Sequence, residues 1–220
     1  MFDINFFKKS YNIKSKIIFN ELSNNDIEQI SKELEFIRDK NPTIFNIETT
    51  NYCNMKCVMC ARTIYMKRKN IWISDELFEK LLEKVKPYSQ NEIDNFWKWL
   101  KDEAKQDNNE ISENGFYFSI VAKHLILHGF GEPFLDKYLI RRIEACQKRN
   151  IPTYFSCTPA TMTIEKATRA MEAGLGVLKF SLDAMNDDDI KKIRGPKANY
   201  NDSIDKILKL LKIKKENNGR

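Results

Sequence analysis

The 220-residue sequence has no run of about 18 uncharged apolar residues, the length that a membrane-spanning helix needs. Its N-terminus places apolar residues before the first lysines, which is the reverse of a secretory signal. Glycine and proline are few, at 7 and 6 residues, and 42% of the chain is hydrophobic, so the composition excludes a disordered protein. We therefore expect a globular cytoplasmic protein without a membrane span.

The five cysteines do not have the arrangement of a disulfide framework. Their number is odd, and Cys53, Cys57 and Cys60 are clustered in one short segment. Without a signal peptide, this clustering indicates a reducing compartment and a metal site. Tetrahedral structural zinc needs four closed ligands, and a [4Fe–4S] cluster normally takes four thiolates. Three thiolates on such a cluster would leave one iron open to an exogenous ligand.

Positive charge is concentrated near the end of the sequence. Residues 191–220 carry ten lysines and arginines against three acids, in a chain of net charge +6. A basic segment can attract nucleic acid or an anionic membrane surface, but apolar residues at helical spacing over 204–211 favour a helix with a solvated lysine face. The first 190 residues contain no known nucleic-acid motif, so we expect no nucleic-acid partner. A zinc-stabilised nucleic-acid binder is the weaker alternative.

Segments rich in β-branched and aromatic residues alternate with amphipathic segments. The pattern predicts strands near residues 44–49, 124–128, 153–157 and 177–182. It predicts helices near residues 24–40, 74–86, 92–105, 135–149, 164–173, 187–193 and 201–215. Strands that alternate with helices form βα units and a parallel sheet, so the predicted fold class is α/β.

The same pattern suggests a division of the chain. Residues 1–42 are predicted to form an N-terminal helical extension, and residues 43–220 a core. A polar insertion interrupts that core at about 88–119, with its most polar part at 106–115. In parallel α/β folds the loops after the strand C-termini build the site, and each predicted strand is followed by a loop with reactive or polar side chains. We expect these loops to converge.

Two of the loops carry specific motifs. Cys53, Cys57 and Cys60 form a CxxxCxxC motif after the first predicted strand, and Gly129–Pro133 forms a GxGEP motif after the second. The sequence resembles the radical S-adenosylmethionine (SAM) enzymes over about residues 44–195. The resemblance rests on these motifs and on the segments around them, IETTNYCNMKCVMCAR, LHGFGEPFLD and FSLDA…IRG. The sequence is similar to the branch whose members often carry auxiliary-cluster domains of the SPASM or Twitch type.

The resemblance implies a fold, and it also implies how much of that fold this sequence contains. The family's core is a partial TIM-like barrel of six βα units, and four are predicted here. We therefore expect a partial barrel that is truncated, or that is one part of a split enzyme.

The resemblance also implies a chemistry and its residues. Cys53, Cys57 and Cys60 would ligate three irons of a [4Fe–4S] cluster, and SAM would chelate the fourth. One electron would cleave SAM to methionine and a 5′-deoxyadenosyl radical, which abstracts a hydrogen atom from the substrate. The residues implied to bind SAM are Met59 near adenine; Gly129, Phe130, Gly131 and Glu132 near the amino group; Ser156 and Thr158 near the ribose; and Ser181, Asp183 and Arg194, the last near the carboxylate.

The implied partners are a small-molecule or peptide substrate, a reducing electron donor such as flavodoxin or ferredoxin, and a second chain that completes the barrel. The alternative function is a truncated or inactive iron–sulfur-binding module that needs a partner chain. Single residues also have structural alternatives. Asp183 could be the N-cap of the next helix, and Arg194 could bond the last carbonyls of its own helix. His128 is expected to be packed rather than to bind a metal.

Overall fold

The computed structural model describes residues 3–38, 43–104 and 122–217. The helices in these ranges are α1 (Ile4–Ile18), α2 (Asn24–Ile37), α3 (Ala61–Tyr65), α4 (Asp75–Leu82), α5 (Gln90–Asp102), α6 (Leu139–Gln147), α7 (Ile164–Glu172), α8 (Asp187–Arg194) and α9 (Tyr200–Glu216). The strands are β1 (Leu125–Ile126), β2 (Thr153–Cys157) and β3 (Val177–Phe180), and two short 3₁₀ helices span Pro133–Leu135 and Pro159–Thr161. No helix in the described ranges is long and apolar enough to cross a membrane.

The chain divides into two units. The first contains Met1–Phe45 and Val85–Lys123, and the second contains Asn46–Lys84 and His124–Arg220. The first unit therefore combines the N-terminal helices with the segment predicted to be an insertion. The predicted polar centre at 106–115 lies outside the described residues, and the domain boundaries taken from the sequence stay a prediction.

An aromatic cluster forms the core of the first unit. Phe96 and Trp99 on α5 stack with ring centroids 6.2 Å apart, and Phe7 of α1 contacts both rings edge-on. Ser89 starts α5 through a reciprocal capping box with Glu92. These aromatic side chains therefore form a local core between α1 and α5.

A parallel sheet in the order β1-β2-β3 organises the second unit. Leu125 pairs with Thr153, and Ser156 pairs with Lys179. Phe155 and Leu125 are fully buried, and Phe155 packs edge-on against Phe134. The predicted α/β class and the parallel order of the strands are confirmed.

The strand predicted near residues 44–49 is wrong, because the described chain has only an isolated β-bridge there. Near residues 44–49 the chain makes one parallel bridge, from Asn46 to Ile126, supported by a 2.8 Å hydrogen bond from Ile47 N to Ile126 O. Beyond that point the backbone bonds elsewhere, since Thr49 O accepts hydrogen bonds from Ile73 N and from the Arg142 side chain. These bonds end the ladder before the cysteine loop begins.

Most helix starts agree with the sequence. The helix predicted near 74–86 begins as α4 at Asp75, and Ser74 caps it by accepting a hydrogen bond from Leu77 N. The predicted helix at 135–149 begins later, at Leu139, because Pro133–Leu135 forms a 3₁₀ turn whose N-cap is Glu132. Asn186, not Asp183, caps α8, so that structural alternative for Asp183 is wrong.

Candidate functional site

The cysteine loop is short and internally bonded. Cys60 N donates to Cys57 O at 3.2 Å, and the Thr63 hydroxyl donates to the same carbonyl at 3.1 Å. Cys57 is buried, whereas Cys53 and Cys60 are half-buried. All three pack in one apolar cluster, whose buried members are Met55, Cys57, Ile190 and Ala198. The structure therefore brings the three predicted ligands to one place.

The C-terminus of α8 holds this loop. Lys56 N donates to Arg194 O at 3.2 Å, and Val58 N donates to Ile193 O at 2.9 Å. These are carbonyls that a helix end leaves without intrahelical partners. Gly195 follows with a φ of +93°, and a Cβ there would lie 2.9 Å from the Lys56 Cβ. The same arrangement places the Arg194 Nη1 atom 3.7 Å from the Cys57 Sγ atom.

Burial controls the protonation of the thiols. It raises the pKa of Cys53 above the usual thiol value, and the nearby Glu132 carboxylate acts in the same direction. Burial also raises the pKa of Cys57, while the Arg194 guanidinium opposes that rise. Each of the five cysteines lies in the described part of the chain, and none forms a disulfide. In the absence of a bound cation, the raised pKa values of Cys53 and Cys57 keep these two thiols protonated at neutral pH.

The donor chemistry of this loop fits an iron–sulfur cluster. Thiols are the usual cluster ligands, and these three share one loop with apolar surroundings. Among the described residues, no three His, Cys, Asp or Glu side chains are already close enough to hold a metal ion. Ligation of one cluster by all three cysteines therefore requires their thiols to come closer together on binding.

The GxGEP loop packs directly on the segment that precedes the cysteines. A Cβ on Gly131 would lie 1.9 Å from Thr50 O, and Glu132 N donates to Tyr52 O at 2.7 Å. A Cβ on Gly129 would lie 2.4 Å from the Glu48 carboxylate. In the structure these two glycines admit neighbouring parts of the same chain.

Glu132 is a buried carboxylate at the junction of two loops. Its side chain accepts a hydrogen bond from Thr158 N at 2.9 Å and another from Phe134 N at 3.4 Å. Burial raises its pKa to about 7, and the two backbone donors oppose that rise. A buried carboxylate with this pKa gains charge stabilisation from any cation that binds beside it.

Arg194 connects three of the predicted site residues. Its guanidinium forms an ion pair with Asp183 and donates to the Thr158 hydroxyl at 3.3 Å. It also faces Cys57, as described above. The alternative that Arg194 bonds only its own helix end is wrong. Loops after two different strands therefore meet at the cysteine loop through one side chain.

The remaining predicted SAM-binding residues lie at the strand ends or are partly exposed. The hydroxyls of Ser156 and Ser181 lie 2.8 Å apart and bond each other, at the ends of β2 and β3. Met59 and Phe130 are 57% and 44% exposed. His128 is packed, as expected: its ring lies edge-on to Tyr154, and its Nδ1 atom accepts a hydrogen bond from Ser156 N.

Sequence reasoning missed Glu48 and Arg62. Glu48 accepts a hydrogen bond from Phe130 N at 2.8 Å and pairs with Arg68 at 2.9 Å. Arg62 donates to Asn51 O at 3.0 Å and lowers the pKa of Cys53 against the larger effect of burial. Their positions in the sequence could have indicated a role at the site, since Glu48 lies just before the cysteine motif and Arg62 just after it.

A family model described as Radical SAM superfamily matches residues 100–218. No curated protein sequence matches the chain. The structure of BtrN in complex with AdoMet and 2-DOIA is similar at 16% identity, covering 64% of this chain and 46% of that one, with a TM-score of 0.43. The structure of TYW1 with a lysine-pyruvate adduct bound is similar at 24% identity, covering 75% and 49%, with a TM-score of 0.40.

This chain spans about half the length of each of these two proteins. The range matched by the family model begins after Cys60, so the ligand role of the cysteines stays a prediction. The matched range nevertheless contains the GxGEP loop, all three strands and Arg194. Since it covers more than half of the sequence, the chain belongs to the radical SAM superfamily, whose members use a [4Fe–4S] cluster and SAM.

Proposed function

We propose that this chain is a radical SAM enzyme, or the catalytic part of one, that binds a [4Fe–4S] cluster through Cys53, Cys57 and Cys60. Superfamily membership supports a radical SAM type of enzyme. The observation that carries the assignment of the site is the position of Arg194, which reaches Asp183, Thr158 and Cys57 at once. A SAM site must join the cluster loop to the strand C-termini, and this side chain makes that connection.

The cofactor chemistry available at such a site is one-electron reductive cleavage of SAM, which yields a 5′-deoxyadenosyl radical for hydrogen-atom abstraction from the substrate. The protein contributes binding, orientation and exclusion of water. Cluster binding would displace the thiol protons of the cysteine loop, since the ligands are thiolates. The apolar cluster around Met55 and Ile190 would keep water away.

Two charged side chains would bind the methionine end of SAM. The Glu132 carboxylate, whose pKa is raised to about 7, would receive the ammonium group and become ionised. Arg194 would exchange its ion pair with Asp183 for one with the SAM carboxylate. The surrounding contacts would come from Gly129, Phe130, Gly131 and Met59 of the two loops, and from Ser156, Thr158 and Ser181 at the strand ends.

We also propose the context of the reaction. The substrate is a small molecule or a peptide, and the electron donor is a reduced flavodoxin or ferredoxin in the cytoplasm. Residues 43–220 act as the core, with 1–42 as an extension and 88–119 as an insertion. Within the described residues, β3 pairs only with β2. A second chain that completes the barrel at this edge belongs to the same proposal, as does membership of the SPASM branch.

Anaerobic reconstitution tests the function. The purified chain is supplied with iron and sulfide, reduced with dithionite and given SAM, and bound iron and 5′-deoxyadenosine are measured. We expect about four irons per chain and formation of 5′-deoxyadenosine. The variant with Cys53, Cys57 and Cys60 all changed to alanine should lose both, whereas Cys146→Ala, at a buried cysteine of α6, should keep both.

The two readouts separate the alternatives. Iron that persists in the triple variant would overturn the ligand assignment. A cluster that forms without SAM cleavage would favour the iron–sulfur-binding module that needs a partner chain. A colourless protein that binds zinc in place of iron would rule out both the radical SAM enzyme and the iron–sulfur-binding module.

A further inference from the structure

Arg142 is a buried cation at the centre of the second unit. It lies on α6, and its side chain is 1% exposed. Its Nη1 atom donates to Thr49 O at 2.8 Å and to the Asp136 carboxylate at 2.6 Å, and its Nη2 atom donates to Ile73 O at 2.5 Å. Asp136 is fully buried as well. One guanidinium thus bonds three chain segments that are far apart in sequence.

Two of these segments lead directly into the proposed cofactor loops. Thr49 is followed by Thr50, whose carbonyl faces Gly131, and by Tyr52, whose carbonyl accepts the Glu132 N–H. The next residue is Cys53. Asp136 follows the 3₁₀ turn that Glu132 caps. Arg142 therefore bonds the chain just before the first cysteine and just after the buried carboxylate.

A second cation holds the same turn. Lys166 on α7 donates to Phe134 O at 2.6 Å and to Asp136 O at 2.7 Å. The turn after Glu132 is therefore bonded through backbone carbonyls by Lys166 and through a carboxylate by Arg142. The segment before Cys53 is joined to this framework by the Arg142 bond to Thr49 O and by the Glu132 N–H bond to Tyr52 O.

Stability alone does not account for the buried pair. A buried ion pair loses hydration that its attraction often fails to recover, and an apolar pair of similar volume is frequently as stable. The pair also leaves polar atoms without partners: among the described residues, buried side-chain atoms that lack a hydrogen bond include Arg142 Nε and Thr49 Oγ1. Such orphaned groups cost stability. The planar fork of arginine does, however, fix several acceptors at defined positions.

We propose that Arg142 is a positioning residue that fixes the cysteine loop and the Glu132 loop relative to each other. Its role in cofactor binding rests on the proposed function, whereas its effect on the two loops is a property of the protein alone. Lysine at this position would keep the charge but would present its donors from one nitrogen, in place of the two that bond Thr49, Asp136 and Ile73.

Thiol labelling of the protein without its cofactors tests the positioning role. Alkylation of each cysteine is followed by mass spectrometry in wild type and Arg142→Lys. We expect Cys53 to react at least about threefold faster in the variant, because local opening of its segment becomes easier. Cys146, which is fully buried on the same helix as Arg142, should keep its wild-type rate.

Arg149→Met is the matched control, since Arg149 follows α6 and forms an exposed ion pair with Glu79 at 2.7 Å. Because the Arg149 charge lowers the pKa of Cys146, this control is read at Cys53 alone, where the alkylation rate should be unchanged. If Cys53 and Cys146 react faster together in Arg142→Lys, the residue merely stabilises the fold and the proposal is wrong. Unchanged Cys53 reactivity would overturn it equally.

A second readout uses the reconstituted protein. In Arg142→Lys the KM for SAM in 5′-deoxyadenosine formation should rise about tenfold, the usual effect of losing a supporting contact behind a ligand. If wild type forms no 5′-deoxyadenosine, the proposed function fails while the labelling result still decides the positioning role. If wild type is active and the variant has the same KM, the positioning role fails and the proposed function stands.

Discussion

The Nη1 atom of Arg194 lies 3.7 Å from the Sγ atom of Cys57, so a fixed cation faces the buried thiol of the cysteine loop. Burial raises the pKa of Cys57, and Arg194 is the strongest influence that opposes the rise. A neighbouring cation stabilises the thiolate, which is both the nucleophile and the metal ligand. The pair thus links α8 to the reactivity of the loop.

Replacing Arg194 with methionine should make the Cys57 thiol harder to ionise. Because the thiolate is the reacting form, the pH midpoint for alkylation of Cys57 should move upward in the protein without its cofactors. Arg62→Met is the matched control, since Arg62 lowers the pKa of Cys53 instead. Mass spectrometry of each labelled cysteine across a pH series measures both. Equal shifts at Cys53 and Cys57 in both variants would contradict the pairing of Arg194 with Cys57.

Gly131 should tolerate a side chain less well than Gly129. A Cβ on Gly131 would meet the backbone oxygen of Thr50 at 1.9 Å, so the two loops would have to separate. A Cβ on Gly129 meets the side chain of Glu48: the carboxylate can rotate away at the loss of its bond to Phe130 N, and the Glu48 Cβ, 2.9 Å away, needs only a small shift. Overpacking typically costs about 1–3 kcal/mol, and backbone clashes lie at the upper end.

Urea unfolding of the two alanine variants measures the difference. We expect Gly131→Ala to lose about 3 kcal/mol and Gly129→Ala about 1 kcal/mol in the free energy of unfolding. Equal losses would mean that the contact between Gly131 and Thr50 relaxes easily. In that case the close approach of the GxGEP loop to Thr50 would not require glycine at position 131.

The sequence predicted the elements that depend on local patterns. Ser74 precedes an amphipathic segment with acids in its first turn, which was predicted to be helical, and it caps α4. The alternation of segments predicted parallel strands, and β2 spans the predicted residues 153–157. Because parallel strands end at one edge, the meeting of Thr158 and Asp183 at Arg194 was also predictable in outline.

The sequence could not predict how the predicted side chains pair. Ser156 and Ser181 lie 25 residues apart and bond each other because Ser156 pairs with Lys179 in the sheet register. The burial of Arg142 could not be predicted either. The residue lies among charged residues of its helix, and it is buried only because three segments converge on it. Register and packing, not local pattern, determine these contacts.

His128 should remain uncharged well below neutral pH. Burial lowers its pKa from 6.5 to about 4, and the charge of Lys179 acts in the same direction. Its Nδ1 atom accepts a hydrogen bond from Ser156 N, so the neutral ring carries its proton on Nε2. NMR of the imidazole protons should show one histidine that titrates near 4. The chain has two histidines, and His124→Gln assigns the signals.

The sign of the His128 contribution to stability follows from the lowered pKa. Between pH 6.5 and about 4 the unfolded chain binds this proton more readily than the folded chain, so stability is lost as the pH falls through that range. Lys179→Met should raise the titration midpoint of His128, because it removes a like charge. A midpoint near 6.5 in wild type would show that the ring is open to water.

Glu132 should give the opposite pH dependence. Burial raises its pKa from 4.5 to about 7, so between these values the folded chain binds the proton more readily than the unfolded chain. Its contribution to stability is therefore present at low pH and lost as the pH rises through the range. The loss amounts to about 3 kcal/mol when one pKa unit is taken as about 1.4 kcal/mol. Glu132→Gln removes this titration and leaves that of His128.

The comparison of wild type with Glu132→Gln isolates the carboxylate, because the His128 contribution is common to both proteins. The free energy of unfolding from urea titrations, taken as wild type minus variant, should decrease steadily from pH 4.5 to about 7. A difference that does not change with pH would mean that Glu132 is ionised throughout. Since SAM would bring an ammonium group to this carboxylate, its binding near neutral pH should also release a proton, which calorimetry in buffers of different ionisation enthalpy can count.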